Sequence, residues 1–286
     1  MKARNFRYVK PRSLDEALRI LADAGPEAVP MSGGQSLMAS LNMRLSAPAL
    51  IVDIGDLTEL QGISQFKGGL RLGATTRHRE LLTDPLIAQH APLLPMAAQH
   101  IAHVAIRNRG TLGGSLGYAD PAAELPACMV ALGATLILAR HGQERRISAE
   151  DFFKGLLETA LMPGELIVAV EVPTTSPDMT TGFEEITRRH GDFAMAGLAA
   201  LVRVEHGILH EARLVYFGCA DHAKLAKTVT GLLCGKTLPL GLDENLAQAL
   251  AADLDPLDAP GLRRETRLHL AGVLTKRVLN SCAGAQ

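Results

Sequence analysis

The chain has 286 residues and a net charge of −1 at pH 7, with 47% hydrophobic and 21% charged residues. This length suits one large or two medium domains, and the composition is that of a globular protein with a substantial core. The balanced charge and the absence of Trp argue against a nucleic-acid-binding protein, which needs a basic surface and aromatic side chains that stack on bases.

The N-terminal residues contain no apolar signal-peptide core, and no uncharged stretch supplies the roughly 20 apolar residues of a membrane-spanning helix. The cysteines are too widely spaced for a zinc site, an iron–sulfur cluster or a dithiol motif. We therefore expect a cytoplasmic protein without a membrane span or metal site. Its reduced thiols should be mostly buried; they are Cys128, Cys219, Cys234 and Cys282.

The first part of the chain predicts short helices mixed with buried strands. Ser13 and Glu16 form a capping box, and apolar residues at i, i+3, i+4 and i+7 predict a helix that Gly25 ends. Apolar runs predict strands, and 3.6-residue patterns predict two further helices. The strands are expected at 28–31, 50–54, 70–73, 135–138 and 165–172, and the helices at 80–89 and 92–102.

Residues 173–178 are rich in Pro, Ser and Thr and predict a linker. Beyond it we expect three successive antiparallel strands, with Glu205-His206-Gly207 as the turn between the last two. The strands are predicted at 181–188, 194–204 and 208–217, and the helices that follow at 223–234, 243–252 and 260–280. Together these patterns predict an α+β fold in two domains, residues 1–175 and 180–286.

Two glycine-rich segments are the main candidates for a ligand site. The first glycine segment is residues 31–37, Met-Ser-Gly-Gly-Gln-Ser-Leu; the second is residues 109–117, Arg-Gly-Thr-Leu-Gly-Gly-Ser-Leu-Gly. Paired glycines let backbone N–H groups converge on an anion and let a ligand approach closely. Hydroxyl donors come from Ser32, Ser36, Thr111 and Ser115. Facing each other, the segments could hold a pyrophosphate; otherwise they are two ordinary turns.

Other nucleotide and catalytic motifs are absent or fail on context. The dinucleotide fingerprint G-x-G-x-x-G and the nucleophile elbow G-x-S-x-G do not occur. Residues 231–237 resemble a phosphate-binding loop but are one residue short, and they follow a helical pattern. Asp120 and Glu124 lie just past the second glycine segment. They suit either the N-terminal turn of a helix or the hydroxyl groups of a ribose or ribityl chain.

Three stretches, residues 32–37, 106–115 and 119–126, resemble the FAD-binding medium subunit of the molybdenum hydroxylases, the xanthine dehydrogenase and carbon monoxide dehydrogenase family. Further matches at 163–167, 188–194 and 267–277 extend the resemblance over essentially the whole chain. The resemblance implies a two-subdomain FAD-binding domain of the vanillyl-alcohol-oxidase (PCMH) type. It also implies a small second domain of three antiparallel strands and a helix bundle, in agreement with the patterns.

The resemblance also implies a set of cofactor-binding residues. The glycine segments would hold the FAD pyrophosphate, Ile101 and Ile167 would line the flavin or adenine pocket, and Glu124 would accept from the ribose or ribityl chain. Two positions depart from relatives: Glu184-Glu185 replaces a lysine that some have near the flavin, and Phe193 replaces a frequent Tyr. The complete expected set is Ser32, Gly33, Gly34, Gln35, Ser36, Leu37, Ile101, Thr111, Leu112, Gly113, Gly114, Ser115, Asp120, Glu124 and Ile167.

The implied function is electron transfer by FAD, and no general acid or base is assigned. The side chains of the two glycine segments are poor nucleophiles, so we expect the FAD to be bound non-covalently. In the family, a large subunit with molybdopterin oxidises the substrate, and two [2Fe–2S] clusters of a small subunit pass electrons to FAD. The subunits form a heterotrimer or a dimer of heterotrimers. The cysteine spacing requires the clusters to lie on another chain. The alternatives are a stand-alone FAD-dependent oxidoreductase and a flavin-free scaffold subunit; the substrate and the electron acceptor stay open.

Overall fold

A computed structural model describes residues 2–241, 243–258 and 261–284. The chain begins with a small parallel sheet in the order β1-β3-β2. Ser13 caps the first helix by accepting a hydrogen bond from the Glu16 N–H, and Gly25 ends it at a φ of +57°. This unit comprises β1 (Arg7–Val9), α1 (Leu14–Ala24), β2 (Ala28–Met31), α2 (Leu37–Met43) and β3 (Leu50–Asp53).

An antiparallel sheet of five strands follows, in the order β4-β5-β10-β6-β7. Its middle strands are buried on both faces: Leu136 and Leu138 pack against the helices, whereas Ile137 and Ala139 pack against the first unit. The elements are β4 (Ile63–Phe66), β5 (Gly69–Gly73), α3 (His78–Thr83), α4 (Pro85–His90), α5 (Leu93–Ala98), α6 (Val104–Arg107), α7 (Leu112–Tyr118), α8 (Glu124–Ala131), β6 (Thr135–Arg140), β7 (Gln143–Ser148), α9 (Ala149–Phe152), β8 (Phe153–Gly155), β9 (Glu158–Thr159) and β10 (Leu166–Pro173).

The rest of the chain forms an antiparallel sheet in the order β11-β12-β13-β14, packed against helices. The turn predicted between its second and third strands is confirmed, because His206 and Gly207 both adopt positive φ. The elements are β11 (Thr180–Ile186), β12 (Ala196–Glu205), β13 (Ile208–Phe217), β14 (Lys224–Leu225), α10 (Lys227–Leu233), α11 (Glu244–Asp253) and α12 (Arg264–Gly284). The α+β prediction is thereby confirmed.

Four predicted elements need correction. The helix predicted at 223–234 begins only at Lys227, because Lys224–Leu225 pairs with β13 as the strand β14. The helix predicted at 80–89 is two helices, because the Asp84 carboxylate accepts from the N–H groups of Leu86 and Ile87 and begins α4. The helix predicted at 92–102 ends at Ala98. The last helix begins at Arg264; its predicted first residue, Pro260, lies outside the described residues.

The second glycine segment is also not the open loop that the sequence predicted. Its residues 112–117 form most of the short helix α7, and Thr111 is the N-cap. Within the described residues, no helix has the length and apolar character needed to cross a membrane. No three metal-binding side chains of these residues come together. All four cysteines are free thiols, and three of them are buried, as predicted.

Candidate functional site

A cavity of about 630 Å³ lies between the first unit, the helices α3 to α8, the turn before β10 and the loop that joins β11 to β12. Ligand-binding cavities for small molecules and cofactors have volumes of this order. Fourteen of the fifteen residues expected from the sequence line it. The exception is Leu112, which is fully buried in the core and belongs to packing instead. The fourteen are Ser32, Gly33, Gly34, Gln35, Ser36, Leu37, Ile101, Thr111, Gly113, Gly114, Ser115, Asp120, Glu124 and Ile167.

Thr111 joins the two glycine segments. Its hydroxyl donates to the Ser32 hydroxyl across 2.9 Å and accepts from the Gly114 N–H at 3.2 Å. The one hydroxyl proton is therefore used within the protein, and the side chain is almost completely buried. Thr111 was expected to donate to a ligand. Its contacts instead make it the connection that fixes one segment against the other.

The backbone of the second glycine segment is engaged in the same way. The N–H groups of Leu112 and Gly113 donate to the Thr76 and Ala74 carbonyls, and that of Ser115 donates to the Thr111 carbonyl. Together with the Gly114–Thr111 bond, these contacts use all four N–H groups of residues 112–115. The expectation that this segment forms an anion nest is therefore wrong. Its glycines provide a wall without side chains.

The glycine pairs are required by protein packing as well. A Cβ on Gly33 would lie 2.2 Å from the Arg109 carbonyl oxygen, and one on Gly114 would lie 2.7 Å from the Thr111 hydroxyl. Real Cβ atoms essentially never come this close to other atoms. The neighbour of Gly33 is a backbone carbonyl, which cannot move aside as the end of a flexible side chain can. Gly117 differs, because its Cβ would meet only the Ile167 side chain, at 3.7 Å. Gly117 is thus a position where a side chain would enter the cavity itself.

His78 lines the cavity and was not found by the sequence analysis, since a lone His at a helix start gives no signal. Burial lowers its pKa to about 4; the hydrogen bond to the Thr111 carbonyl opposes this shift, and the positive charges of Arg107 and Arg77 add to it. The neutral ring lies 3.0 Å from the Thr111 carbonyl through Nε2, which therefore donates. Among the described residues the buried Nδ1 has no hydrogen-bond partner; it lies against Gly110, where a Cβ would come within 2.8 Å of it.

Arg107 and Glu165 shape two further parts of the wall. The Arg107 guanidinium donates to the carbonyls of Ile101 and Ala102, at 2.7 and 2.9 Å. It thereby fixes the turn that presents Ile101. Glu165 forms a two-pronged ion pair with Arg145, with both distances 2.7 Å, and accepts from the Met162 N–H. These contacts hold the turn that precedes Ile167.

Two carboxyls enter the cavity wall at the end of the second glycine segment. Asp120 accepts from the Ala122 N–H at 2.9 Å, and burial raises its pKa. Burial, with the nearby carboxyls of Glu185 and Asp120, raises the pKa of Glu124 to about 8. Glu124 is also the first residue of α8, which confirms the sequence interpretation that places it in the N-terminal turn of a helix. At neutral pH it is largely a carboxylic acid, able to donate and accept hydrogen bonds.

The residues that depart from relatives, Phe193, Glu184 and Glu185, lie in different parts of the structure. Phe193 lines the cavity and is 70% exposed, so it stands at the mouth. Gly191 packs directly on the Ala102 carbonyl, joining this rim to the Ile101 turn. The adjacent acids diverge: Glu184 pairs with Arg277 at 2.8 Å, whereas Glu185 lies 3.5 Å from His100.

This arrangement fits a flavin nucleotide. Glycine-rich walls admit a pyrophosphate closely, apolar side chains such as Ile101 and Ile167 suit aromatic rings, and Asp120 and Glu124 suit hydroxyl groups.

Comparisons with known proteins give the family. Residues 4–175 match the FAD binding domain in molybdopterin dehydrogenase, and residues 181–282 match the CO dehydrogenase flavoprotein C-terminal domain. The chain is 38% identical over 280 residues to the 6-hydroxypseudooxynicotine dehydrogenase complex subunit alpha of Paenarthrobacter nicotinovorans. That match covers 98% of this chain and 95% of the relative.

Solved structures agree over the full length. Quinoline 2-oxidoreductase from Pseudomonas putida 86 matches with 39% identity and a TM-score of 0.91, covering 100% of this chain and 99% of that one. Carbon monoxide dehydrogenase from Hydrogenophaga pseudoflava matches with 31% identity and a TM-score of 0.94, with the same coverage. The chain therefore belongs to the FAD-binding medium subunits of the molybdenum hydroxylases, the family of carbon monoxide dehydrogenase and xanthine dehydrogenase.

Proposed function

We propose that the cavity holds the FAD of this subunit, with its pyrophosphate at the first glycine segment. The observation that carries the proposal is the convergence of fourteen expected residues, from five separate stretches of sequence, on one cavity. The second glycine segment binds through shape, because its N–H groups are used within the protein. The first segment therefore supplies the backbone and hydroxyl donors to the pyrophosphate.

The remaining walls take the other parts of the cofactor. Ile101 and Ile167 contact the rings, and Asp120 and Glu124 bind hydroxyl groups of the ribityl chain or ribose. Retention rests on many hydrogen bonds and apolar contacts, so we propose that the FAD is non-covalent. Cys128 does not compete as an attachment site, since it is completely buried and its pKa is raised well above the ordinary value by burial.

As a medium subunit of a heteromeric molybdenum hydroxylase, the chain is an FAD-carrying electron-transfer subunit. Electrons reach FAD from [2Fe–2S] clusters of a partner subunit and leave for an external acceptor, while molybdopterin resides on another partner. We propose a heterotrimer with a large and a small subunit, or a dimer of such heterotrimers, in the cytoplasm. FAD supplies the redox chemistry, and this chain supplies its position and electrostatics.

We further propose the two domains 1–175 and 180–286, the first of the two-subdomain PCMH type. The separate matches at 4–175 and 181–282 support this boundary. The two clusters of buried residues on either side of the five-stranded sheet support two subdomains within the first domain.

Substituting Gly117 tests whether FAD occupies the cavity. Gly117→Leu places a branched side chain in the cavity without meeting backbone, so the chain should fold and lose FAD. Gly117→Ala is the matched control, because a single methyl has ordinary contact there and Ala favours helix. Flavin absorbance of the purified variants gives occupancy. Full occupancy in a folded Gly117→Leu variant contradicts the site.

The isolated chain tests the electron-transfer role. It should be yellow and reducible by dithionite, yet inert toward the substrate of the complex, because that substrate is oxidised at the molybdopterin subunit. Turnover of the substrate by the purified single chain would instead support the stand-alone oxidoreductase.

A further inference from the structure

The wall of the cavity has acidic but no cationic side chains. No lysine or arginine of the described residues lines it, whereas four carboxyl side chains do: Asp120, Glu124, Glu165 and Asp192. The pyrophosphate of FAD is itself an anion, and an anion taken out of water is stable only where donors or positive charge compensate it. Any positive side chain that acts on the pyrophosphate therefore lies behind the wall.

Two other stretches of the chain support the first glycine segment. The loop after β3 reaches it at Gly55, where a Cβ would lie 3.2 Å from the Ser32 carbonyl oxygen. The residues before α7 reach it at Arg109, whose carbonyl oxygen is so near Gly33 that a Cβ there would lie 2.2 Å away. The position of the segment thus depends on both of these neighbours.

The Arg77 guanidinium joins the two neighbours. Nη1 donates to the Arg109 carbonyl, and Nη2 donates to the Gly55 carbonyl over a longer distance of 3.5 Å. The Arg77 backbone is fixed as well, since its N–H donates to the Glu80 carboxylate at 2.6 Å and the residue forms a β-bridge with Thr111. Arg77 does not line the cavity, so its guanidinium lies behind the first glycine segment, against both supports.

The hydrogen bonds that hold this guanidinium do not neutralise its charge. Both acceptors are neutral carbonyls, and an arginine side chain stays protonated at any pH at which the protein is folded. Two other arginines of this region are placed differently, because Arg107 donates to the carbonyls of Ile101 and Ala102 and Arg109 is exposed. Arg77 is therefore the best placed of the three to act on a ligand at the first glycine segment.

We propose that Arg77 is a positioning residue for FAD: its guanidinium fixes the first glycine segment through the Gly55 and Arg109 carbonyls and places a positive charge behind the pyrophosphate. The inference rests on the proposed position of the pyrophosphate at that segment. The charge attracts the pyrophosphate through the backbone of the wall, and dissolved salt weakens this attraction. The effect of the charge can therefore be separated from that of the hydrogen bonds.

Arg77→Gln and Arg77→Lys make this separation. Each flavin-free, full-length variant is titrated with FAD at low and at high KCl concentration, and the quenching of flavin fluorescence gives the Kd. Gln keeps a donor for one carbonyl but removes the charge, so its Kd at low KCl should be roughly tenfold higher than that of the wild type. High KCl should reduce this difference. Lys keeps the charge and should bind FAD within about threefold of the wild type at low KCl, despite its different geometry.

Arg79→Gln is the matched control. Arg79 lies two residues further on, exposed on α3, and its substitution changes the net charge of the chain by the same amount. It should bind FAD as the wild type does at both KCl concentrations. A Kd raised as much as in Arg77→Gln would show that net charge, and not the place of Arg77, governs binding.

Two results overturn the proposal directly. One is an unchanged Kd in Arg77→Gln. The other is equal weakening in Arg77→Gln and Arg77→Lys, by the same factor at low and high KCl, because that is the result of structural support without a contribution from charge.

Urea unfolding shows whether each variant is folded. If Arg77→Gln does not fold, the wild type and Arg77→Lys decide: Kd values that rise with KCl support the proposal, and salt-independent Kd values overturn it. A wild-type chain that binds no FAD overturns the proposed FAD site instead.

Discussion

Thr111→Val removes a hydroxyl while keeping the shape of the side chain. The loss of the N-cap bond to Gly114 costs about 1 kcal/mol. The loss of the Thr111–Ser32 hydrogen bond costs about 1 kcal/mol more, since the site is buried. Both bonds hold the cavity wall in the conformation that binds FAD. Losing them therefore makes that conformation less stable by about 2 kcal/mol in total.

The expected result follows from that sum. At 1.4 kcal/mol for each factor of ten, about 2 kcal/mol corresponds to a roughly 30-fold higher Kd for FAD as an upper bound. Titration of the flavin-free chain with FAD, followed by the quenching of flavin fluorescence, measures the Kd. Urea unfolding of the same samples measures stability.

Thr111→Ser is the matched control, because it keeps the hydroxyl that makes both bonds. It should bind FAD within about threefold of wild type, since only one methyl group is lost. If Thr111→Val binds FAD as tightly as wild type and unfolds at the same urea concentration, Thr111 does not connect the glycine segments as argued.

Three other predictions follow from the site. Gly33→Ala should abolish FAD binding, because its Cβ meets the Arg109 backbone. The Cβ of Gly231→Ala on α10 meets nothing within 4 Å, so this substitution should stabilise the chain by about 0.5–1 kcal/mol. Flavin occupancy checks the first variant, and urea unfolding checks both. The raised pKa of Glu124 means that its contribution to stability is complete below pH 4.5 and is lost as pH rises to about 8. Glu124→Gln should therefore flatten the fall in unfolding free energy between pH 5 and 8, and an unchanged pH profile would refute the assignment. Finally, acid precipitation should release all flavin into the supernatant; a yellow pellet would show a covalent bond.

Local patterns were sufficient wherever neighbouring residues decide the structure. The capping box at Ser13 and Glu16 begins α1, and Glu205-His206-Gly207 forms the expected turn. The cysteine spacing agrees with four free thiols. These features depend on backbone geometry and on contacts within a few residues, which a sequence displays directly. The family resemblance likewise rests on contiguous motifs, and the comparisons confirm it.

The sequence could not show which polar groups of the site are free. The N–H groups of Leu112 and Gly113 bind carbonyls at Thr76 and Ala74, more than thirty residues earlier, so the second glycine segment is a wall rather than a nest. His78 also lines the cavity because of a contact between distant segments, since its Nε2 donates to the Thr111 carbonyl. A hydrogen bond between remote residues depends on how separate elements pack, and no local periodicity encodes it.

The orientation of side chains at strand ends is also a tertiary property. A register shift in β10 between Ile167 and Ala169 leaves Ile167 on the face that lines the cavity. The adjacent Glu184 and Glu185 have the same chemistry, but pairing with β12 sends one to Arg277 on α12 and the other to His100. Sequence alone thus determined which residues could serve a flavin. Strand register and packing decided which of them line the cavity, because a shift of one residue turns a side chain to the opposite face of a sheet.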